Sequence, residues 1–178
     1  VPMHDLSLEV LSGASAGGMC AAIASVQIQE KFDHIKDLSA VNTTNRFYES
    51  WVNKIDIREL LKTTDVGSGN VVSLLDSSII QQIAAYALQP GGVVSRKYIS
   101  PHLTLFLTLT NVQGVPYLLS SDASGSLEEY VAYHGDRIRF ELVTPGAPPL
   151  GRAAHPLPVG RPGEGAWPLL QQAAMATG

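Results

Sequence analysis

The sequence predicts an α/β fold, and three observations carry that prediction. Apolar residues alternate at Leu6, Leu8 and Val10, which is the period of a strand, and an Ala-rich stretch without proline follows. A helical stripe of apolar residues runs from Ile79 to Leu88, and strand periodicity returns over residues 101–143. Strand and helical periods that follow one another in this way indicate the α/β class.

The first strand leads into a short glycine-rich turn. Residues 13–18 read Gly-Ala-Ser-Ala-Gly-Gly, and a G-x-S-x-G pentapeptide between a strand and a helix is the signature of a nucleophile elbow. In such an elbow the serine stands on a tight turn, and the glycines two residues before and after it leave the turn free of clashes. The N–H groups that open the helix stabilise an oxyanion. The candidate nucleophile is therefore Ser15, and the candidate elbow and oxyanion residues are Gly13, Ala16, Gly17 and Gly18; a turn of small residues with a purely structural role is the alternative.

The middle of the chain, residues 37–100, is expected to be mostly helical. Asp56-Ile57-Arg58-Glu59 has the pattern of a capping box before two leucines. The stripe that ends at Leu88 is stopped by Pro90-Gly91-Gly92. Residues 63–70 contain glycine and serine and are interpreted as a loop, with a lid as the functional alternative.

The second half is expected to supply the rest of the sheet. The alternation over residues 103–109 leaves both faces apolar or β-favouring, as in a central strand covered on both sides. Residues 130–134 and 137–142 are interpreted as a hairpin that turns at Gly135-Asp136. Residues 144–168 are rich in proline and glycine and are expected to form a loop or linker, and residues 169–176 return to helix.

The elbow, with the Ala-rich helix behind it, resembles the patatin-like phospholipase family. Residues 107–117 and the terminal Ala173–Gly178 resemble two further family segments, the second of which precedes the catalytic aspartate in that family. The resemblance implies a three-layer sandwich with a mainly parallel central sheet, and a serine lipid acyl hydrolase that forms an acyl-enzyme on Ser15. It also implies a Ser–Asp dyad, a phospholipid or other acyl-ester substrate met at a transient membrane surface, and no cofactor.

The chain departs from the family pattern in two places. The family carries a Gly-rich oxyanion loop before the elbow strand, whereas no Gly-rich segment precedes Leu6. The family aspartate lies in an Asp-Gly motif, whereas no aspartate of this chain is followed by glycine. Residues 1–178 are therefore expected to be a single-domain piece of a longer protein, inactive alone, and the aspartate of the dyad is not identified.

Two other functions stay open. A serine esterase or acyltransferase could use His102 or His134 as its base, because a triad assembles in space rather than in sequence. A truncated, non-catalytic scaffold could bind lipid or a partner without turnover. Asp122 and Asp136 are candidate bases, but both lie in ordinary turn patterns.

Composition and spacing exclude several other classes. The net charge of -4 provides no basic footprint for nucleic acid. The five histidines lack the short paired spacing of zinc sites, so no metal is expected. No run of 18 apolar residues suggests a membrane span, and a cytoplasmic location is expected. The single cysteine, Cys20, is expected to be a small buried apolar residue on the first helix.

Overall fold

A computed structural model describes residues 4–37, 43–63, 75–120, 128–147 and 154–177. The helical and strand segments follow one another in the order β1 (Leu8–Gly13), α1 (Ala16–Gln27), α2 (Arg46–Tyr48, continued by a π-helical turn Glu49–Lys54), α3 (Ile57–Leu60), α4 (Ser78–Ala87), β2 (Ile99–Ser120), β3 (Glu128–Val143), β4 (His155–Pro158) and α5 (Trp167–Thr177). The chain is therefore an α/β protein, as its sequence predicts. The expected helices after the elbow, along the apolar stripe and at the end of the chain are confirmed as α1, α4 and α5.

The four strands form one mixed sheet in the order β1-β2-β3-β4. β1 and β2 are parallel, β2 and β3 are antiparallel, and β3 and β4 are parallel. In the parallel pair, Gly13 at the end of β1 lies opposite Leu107 of β2. The expectation that residues 103–109 belong to a central strand is confirmed, because β2 lies between β1 and β3.

The core lies between the sheet and the helices. Leu103, Leu105 and Leu107 are fully buried and alternate along β2 with Phe106, which is half-buried, and Thr108, which is exposed. Both α1 and α5 contact β2 and each other, so they share the face of the sheet that carries the three leucines. On the opposite face Thr104 is also buried, so among the described residues that face is covered near the start of β2 and becomes exposed by Thr108.

The expected hairpin within residues 130–142 is wrong. β3 runs without interruption from Glu128 to Val143, with Gly135 opposite Thr110 and Asp136 opposite Leu109 of β2. The local Gly-Asp pattern suits a turn, but continuous pairing with a long neighbouring strand overrides it. The antiparallel partner of β3 is β2, and residues 121–127 between them lie outside the described part of the chain.

The expected loop over residues 144–168 contains a strand. β4 pairs in parallel with the end of β3, with Phe140 opposite His155 and Leu142 opposite Leu157. Leu157 is fully buried in the core. In the described sheet β4 has a neighbour on one side only, which is where a strand tolerates prolines such as Pro156 and Pro158. The rest of the described segment consists of turns and irregular backbone up to α5.

The predicted helix start at Asp56 is confirmed, with a different cap geometry. Asp56 is the N-cap of α3, and its side chain accepts a hydrogen bond from the backbone N–H of Arg58. The Arg58 guanidinium also donates to the Asp56 carboxylate, and these hydrogen bonds lower the pKa of Asp56 below its ordinary value. Within the described ranges no helix is long and apolar enough to cross a membrane.

Candidate active site

Ser15 occupies a strained backbone position between β1 and α1. It is the N-cap of α1, with φ 51° and ψ -129°. Among the described residues it is the single non-glycine residue with positive φ. Side chains normally exclude L-residues from this region, and holding one there costs about 1–3 kcal/mol. The expectation of a strained strand-to-helix turn at Ser15 is confirmed, and the residue is exposed to solvent.

The turn is tight because two glycines leave room for it. A Cβ atom on Gly13 would lie 2.2 Å from the carbonyl carbon of Gly17, so no side chain fits where β1 meets the first turn of α1. A Cβ atom on Gly18 would lie 2.6 Å from Cγ2 of Thr177. A Cβ atom on Gly17 would meet nothing within 4 Å. The expectation that the residues two before and two after the serine must lack side chains is therefore correct for Gly13 and wrong for Gly17, and Gly18 is the second crowded position.

The first turn of α1 presents an N–H group to the solvent beside Ser15. Gly17 N–H donates to the carbonyl oxygen of Ala14 at 2.9 Å, and Met19 N–H donates to that of Ser15 at 3.1 Å. Ala16 N–H has no hydrogen-bond partner among the described residues, as is usual for the first amides of a helix. The positive end of the helix dipole lies at the same place. Ala16 is therefore available as an oxyanion donor.

Thr177 is a residue of the site that sequence reasoning missed. Its Oγ1 atom accepts a hydrogen bond from the backbone N–H of Ser15 at 3.2 Å, across 162 positions of sequence. Thr177 lies at the end of α5 and is 9% exposed. The terminal segment Ala173–Gly178 resembles a family motif, but nothing in its pattern predicts contact with the elbow.

The Ser15 hydroxyl has no base among the described residues. No hydrogen bond joins its Oγ atom to another described side chain. His102, a candidate base, lies five positions before the residue that pairs with Gly13, which places it about 16 Å back along the sheet. Its Nδ1 atom lies 3.0 Å from Oε1 of the fully buried Glu141. His102 therefore lies near the start of β2, away from the elbow.

The remaining candidate bases do not reach Ser15 either. His134 lies on β3, and its Nδ1 atom is 2.8 Å from the carbonyl oxygen of Asn111. Asp136 is also on β3, where its carboxylate accepts the N–H of Arg137. Because β3 is two strands away from β1, Asp136 is about 10 Å across the sheet from the elbow strand. Asp122 and most of the candidate lid at residues 63–70 lie outside the described residues.

Cys20, potential metal ligands and a cavity are the other features that could carry a function. Cys20 is a free thiol on α1 and is half-buried rather than fully buried. Within the described ranges no cluster of three potential metal ligands occurs. A cavity of about 420 Å³ opens at the end of α1 remote from Ser15, and its lining includes Ile28, Ile99 and Leu142. That cavity lies at the other end of the sheet and does not adjoin the candidate nucleophile.

The strain at Ser15 leads to a prediction about stability. We expect Ser15→Gly to raise the free energy of unfolding by about 1 kcal/mol, because glycine adopts positive φ without steric cost and loses only part of that gain to chain entropy. Ser15→Ala retains a Cβ atom and the strain, so its stability should match that of the wild type. Urea unfolding of the three proteins measures the difference. Equal stability of the glycine and alanine variants would contradict the strain.

Comparisons with known proteins leave the family of this chain open. No family model matches the sequence. No solved structure matches it. The chain is similar to a curated protein of Sinorhizobium fredii (strain NBRC 101917 / NGR234), named "Uncharacterized protein y4iI", with 30% identity over 155 residues. The match covers 79% of this chain and 22% of that relative. The chain thus spans about a fifth of the length of the curated relative that it matches.

Proposed function

We propose that this chain carries the nucleophile of a patatin-like serine lipid acyl hydrolase. The observation that supports the proposal most strongly is the backbone of Ser15, which stands at φ 51° and ψ -129° between β1 and α1. Strained conformations persist where the surrounding structure over-determines them, and they cluster at functional sites. Here Gly13 and Gly18 have no side chain where one would collide with the turn or with Thr177. A turn without a catalytic role would not need to hold a serine in this conformation.

The chemistry that follows is acyl transfer. The Ser15 oxygen attacks the ester carbonyl while a base removes the hydroxyl proton, and the alcohol departs with a proton as the acyl-enzyme forms. Water then attacks the acyl-enzyme, and the fatty acid leaves as Ser15 regains its proton. The negative charge that develops on the carbonyl oxygen would lie near the Ala16 N–H, at the positive end of α1.

The identity of the base separates the candidate functions. The family resemblance supports an aspartate, and the register of the sheet argues against His102, which lies about 16 Å from the level of Gly13. The described residues bring no carboxylate to Ser15. We infer that the base and the second oxyanion donor come from residues outside the described part of this chain. We also propose that the complete fold is a three-layer sandwich, with further helices packed on the second face of the sheet.

The lipid substrate in this proposal comes from the family resemblance. An exposed Ser15 suits a substrate that reaches the elbow from outside, such as an acyl ester in a micelle or membrane surface. The non-catalytic scaffold remains the second candidate, because the described residues supply a nucleophile without a base.

Labelling with a fluorophosphonate probe tests the proposed function. We expect rapid labelling of the full-length protein, mapped to Ser15 by peptide sequencing. The 178-residue chain should react at least about 100-fold more slowly, because the absence of one oxyanion donor alone costs on the order of 10²–10³ in rate. Rapid, stoichiometric labelling of the 178-residue chain would place a base within it and favour the esterase alternative. A folded full-length protein that does not react would favour the scaffold.

A further inference from the structure

Thr177 reaches the elbow from the far end of the described chain. Its Oγ1 atom accepts the Ser15 N–H at 3.2 Å. The same side chain fills the space beside Gly18, where a Cβ atom would lie 2.6 Å from its Cγ2 and 2.8 Å from its Oγ1. The Thr177 side chain therefore meets the elbow at two places. Its hydroxyl oxygen accepts the N–H of Ser15, just before Ala16, and the side chain lies beside Gly18, two residues after Ala16.

The helix that carries Thr177 is firmly held. Leu170, Ala173 and Ala174 of α5 are buried in the core against α1 and β2. At the start of α5, the indole N–H of Trp167 donates to the carbonyl oxygen of Pro158 at 3.1 Å. Thr177 is itself only 9% exposed at the end of this helix, and groups held on packed helices place a site more accurately than groups on loops. Thr177 therefore contacts the elbow from a helix that is packed into the core.

The hydrogen bond acts on the strained part of the elbow. The Ser15 N–H belongs to the peptide that enters the positive φ of Ser15, and rotation of that peptide would redirect the hydroxyl. Pairing with Thr177 fixes the peptide, because the Ser15 amide then has a partner within the fold. It also commits the Ser15 N–H, whereas the Ala16 N–H stays available to meet an oxyanion.

We propose that Thr177 is a positioning residue for Ser15, holding the nucleophile's backbone in its reactive orientation through its hydroxyl oxygen. The proposal rests on the proposed function for its effect on rate. The contact itself does not, because the hydrogen bond and the packing against Gly18 are features of the fold. Thr177 pairs with the backbone of Ser15 rather than with its hydroxyl, so its removal should lower the rate without changing the group that titrates in the reaction.

Four variants of the full-length protein test this role. Thr177→Val keeps the shape of the side chain but removes the acceptor oxygen. Thr177→Ala removes both the acceptor oxygen and the methyl group. Thr177→Ser keeps the acceptor oxygen and removes only the methyl group. Thr104→Val is the matched control, because Thr104 is 7% exposed on β2 and does not contact the elbow. We expect the second-order rate of fluorophosphonate labelling to fall at least about 10-fold in the valine and alanine variants. It should stay within about threefold of wild type in Thr177→Ser and Thr104→Val.

The pH dependence of the same reaction separates positioning from catalysis. The midpoint of the rate-against-pH curve should be the same in Thr177→Ala and in the wild type, with only the plateau lowered. A shifted midpoint would overturn the positioning role. Labelling of both Thr177→Val and Thr177→Ala at the wild-type rate would also overturn it, as would a serine variant as slow as Thr177→Ala.

Hydrogen–deuterium exchange at the Ser15 amide makes the contact testable apart from activity. Exchange should be at least about 10-fold faster in Thr177→Ala than in wild type, and Thr177→Ser should restore protection. If the wild-type protein is not labelled at all, the proposed function fails. In that case faster exchange that serine restores still supports the contact, whereas unchanged exchange overturns it.

Discussion

Replacing Ser15 by alanine is expected to lower acyl-ester hydrolysis by the full-length protein by a factor on the order of 10⁴–10⁶, the usual effect of removing a nucleophilic serine. The hydroxyl is exposed and has no hydrogen-bond partner among the described side chains. Its loss should therefore leave the melting temperature nearly unchanged. Hydrolysis of a fluorogenic acyl ester measures the first effect, and scanning calorimetry measures the second.

A nearby serine provides the control for this experiment. Ser12 lies three positions upstream on β1 and is also exposed, but it precedes the turn. Ser12→Ala should retain wild-type hydrolysis. If Ser15→Ala retains more than about a tenth of the wild-type activity, the chemistry does not pass through this residue. A comparable loss in Ser12→Ala would point to a disturbed strand rather than to a missing nucleophile.

The elbow could be predicted from sequence because its determinants are local. Strand periodicity before Gly13, the spacing of glycine around Ser15 and an Ala-rich helix lie within about two dozen consecutive residues. The requirement for small residues follows from backbone geometry alone. The sequence motif predicts wrongly that Gly17 is crowded, because the direction of a Cβ atom at that position depends on the folded backbone. The second crowded position is Gly18, where a Cβ atom would collide with Thr177.

The errors in the second half of the chain have a common cause in long-range pairing. Gly135-Asp136 has the chemistry of a turn, but its partners Thr110 and Leu109 belong to a strand long enough to keep β3 extended. Pro156 and Pro158 predict a loop, but they are tolerated because β4 pairs in the described sheet only with β3. In each case the deciding neighbour is well separated along the chain, and a single sequence does not specify that neighbour.

The candidate site shows the same division between local and distant determinants. The nucleophile and the Ala16 amide follow from a local motif, whereas the Thr177 contact spans 162 positions. The exclusion of His102 also depends on the sheet, because the register of β1 against β2 places it well behind the elbow. The sequence alone does not decide between a histidine base and an aspartate base.

The two glycines of the G-x-S-x-G motif should respond in opposite ways to alanine. A Cβ atom on Gly13 would lie 2.2 Å and 2.3 Å from the carbonyl carbon and oxygen of Gly17, and backbone cannot move aside without opening the turn. We expect Gly13→Ala to cost roughly 3 kcal/mol, the upper range for overpacking. In a chain of this size that lowers the melting temperature by about 6–12 °C. Gly13→Ala should also abolish fluorophosphonate labelling of Ser15 in the full-length protein.

Gly17→Ala is the matched change within the same turn. Nothing lies within 4 Å of the added Cβ atom, and Gly17 is in the first turn of α1, where alanine is the better helix former by up to about 1 kcal/mol. The variant should therefore melt at or slightly above the wild-type temperature. Calorimetry of the two variants side by side tests the elbow geometry without reference to any substrate. Equal destabilisation by both changes would mean that the turn is not the one described, and the nucleophile assignment would lose its structural support.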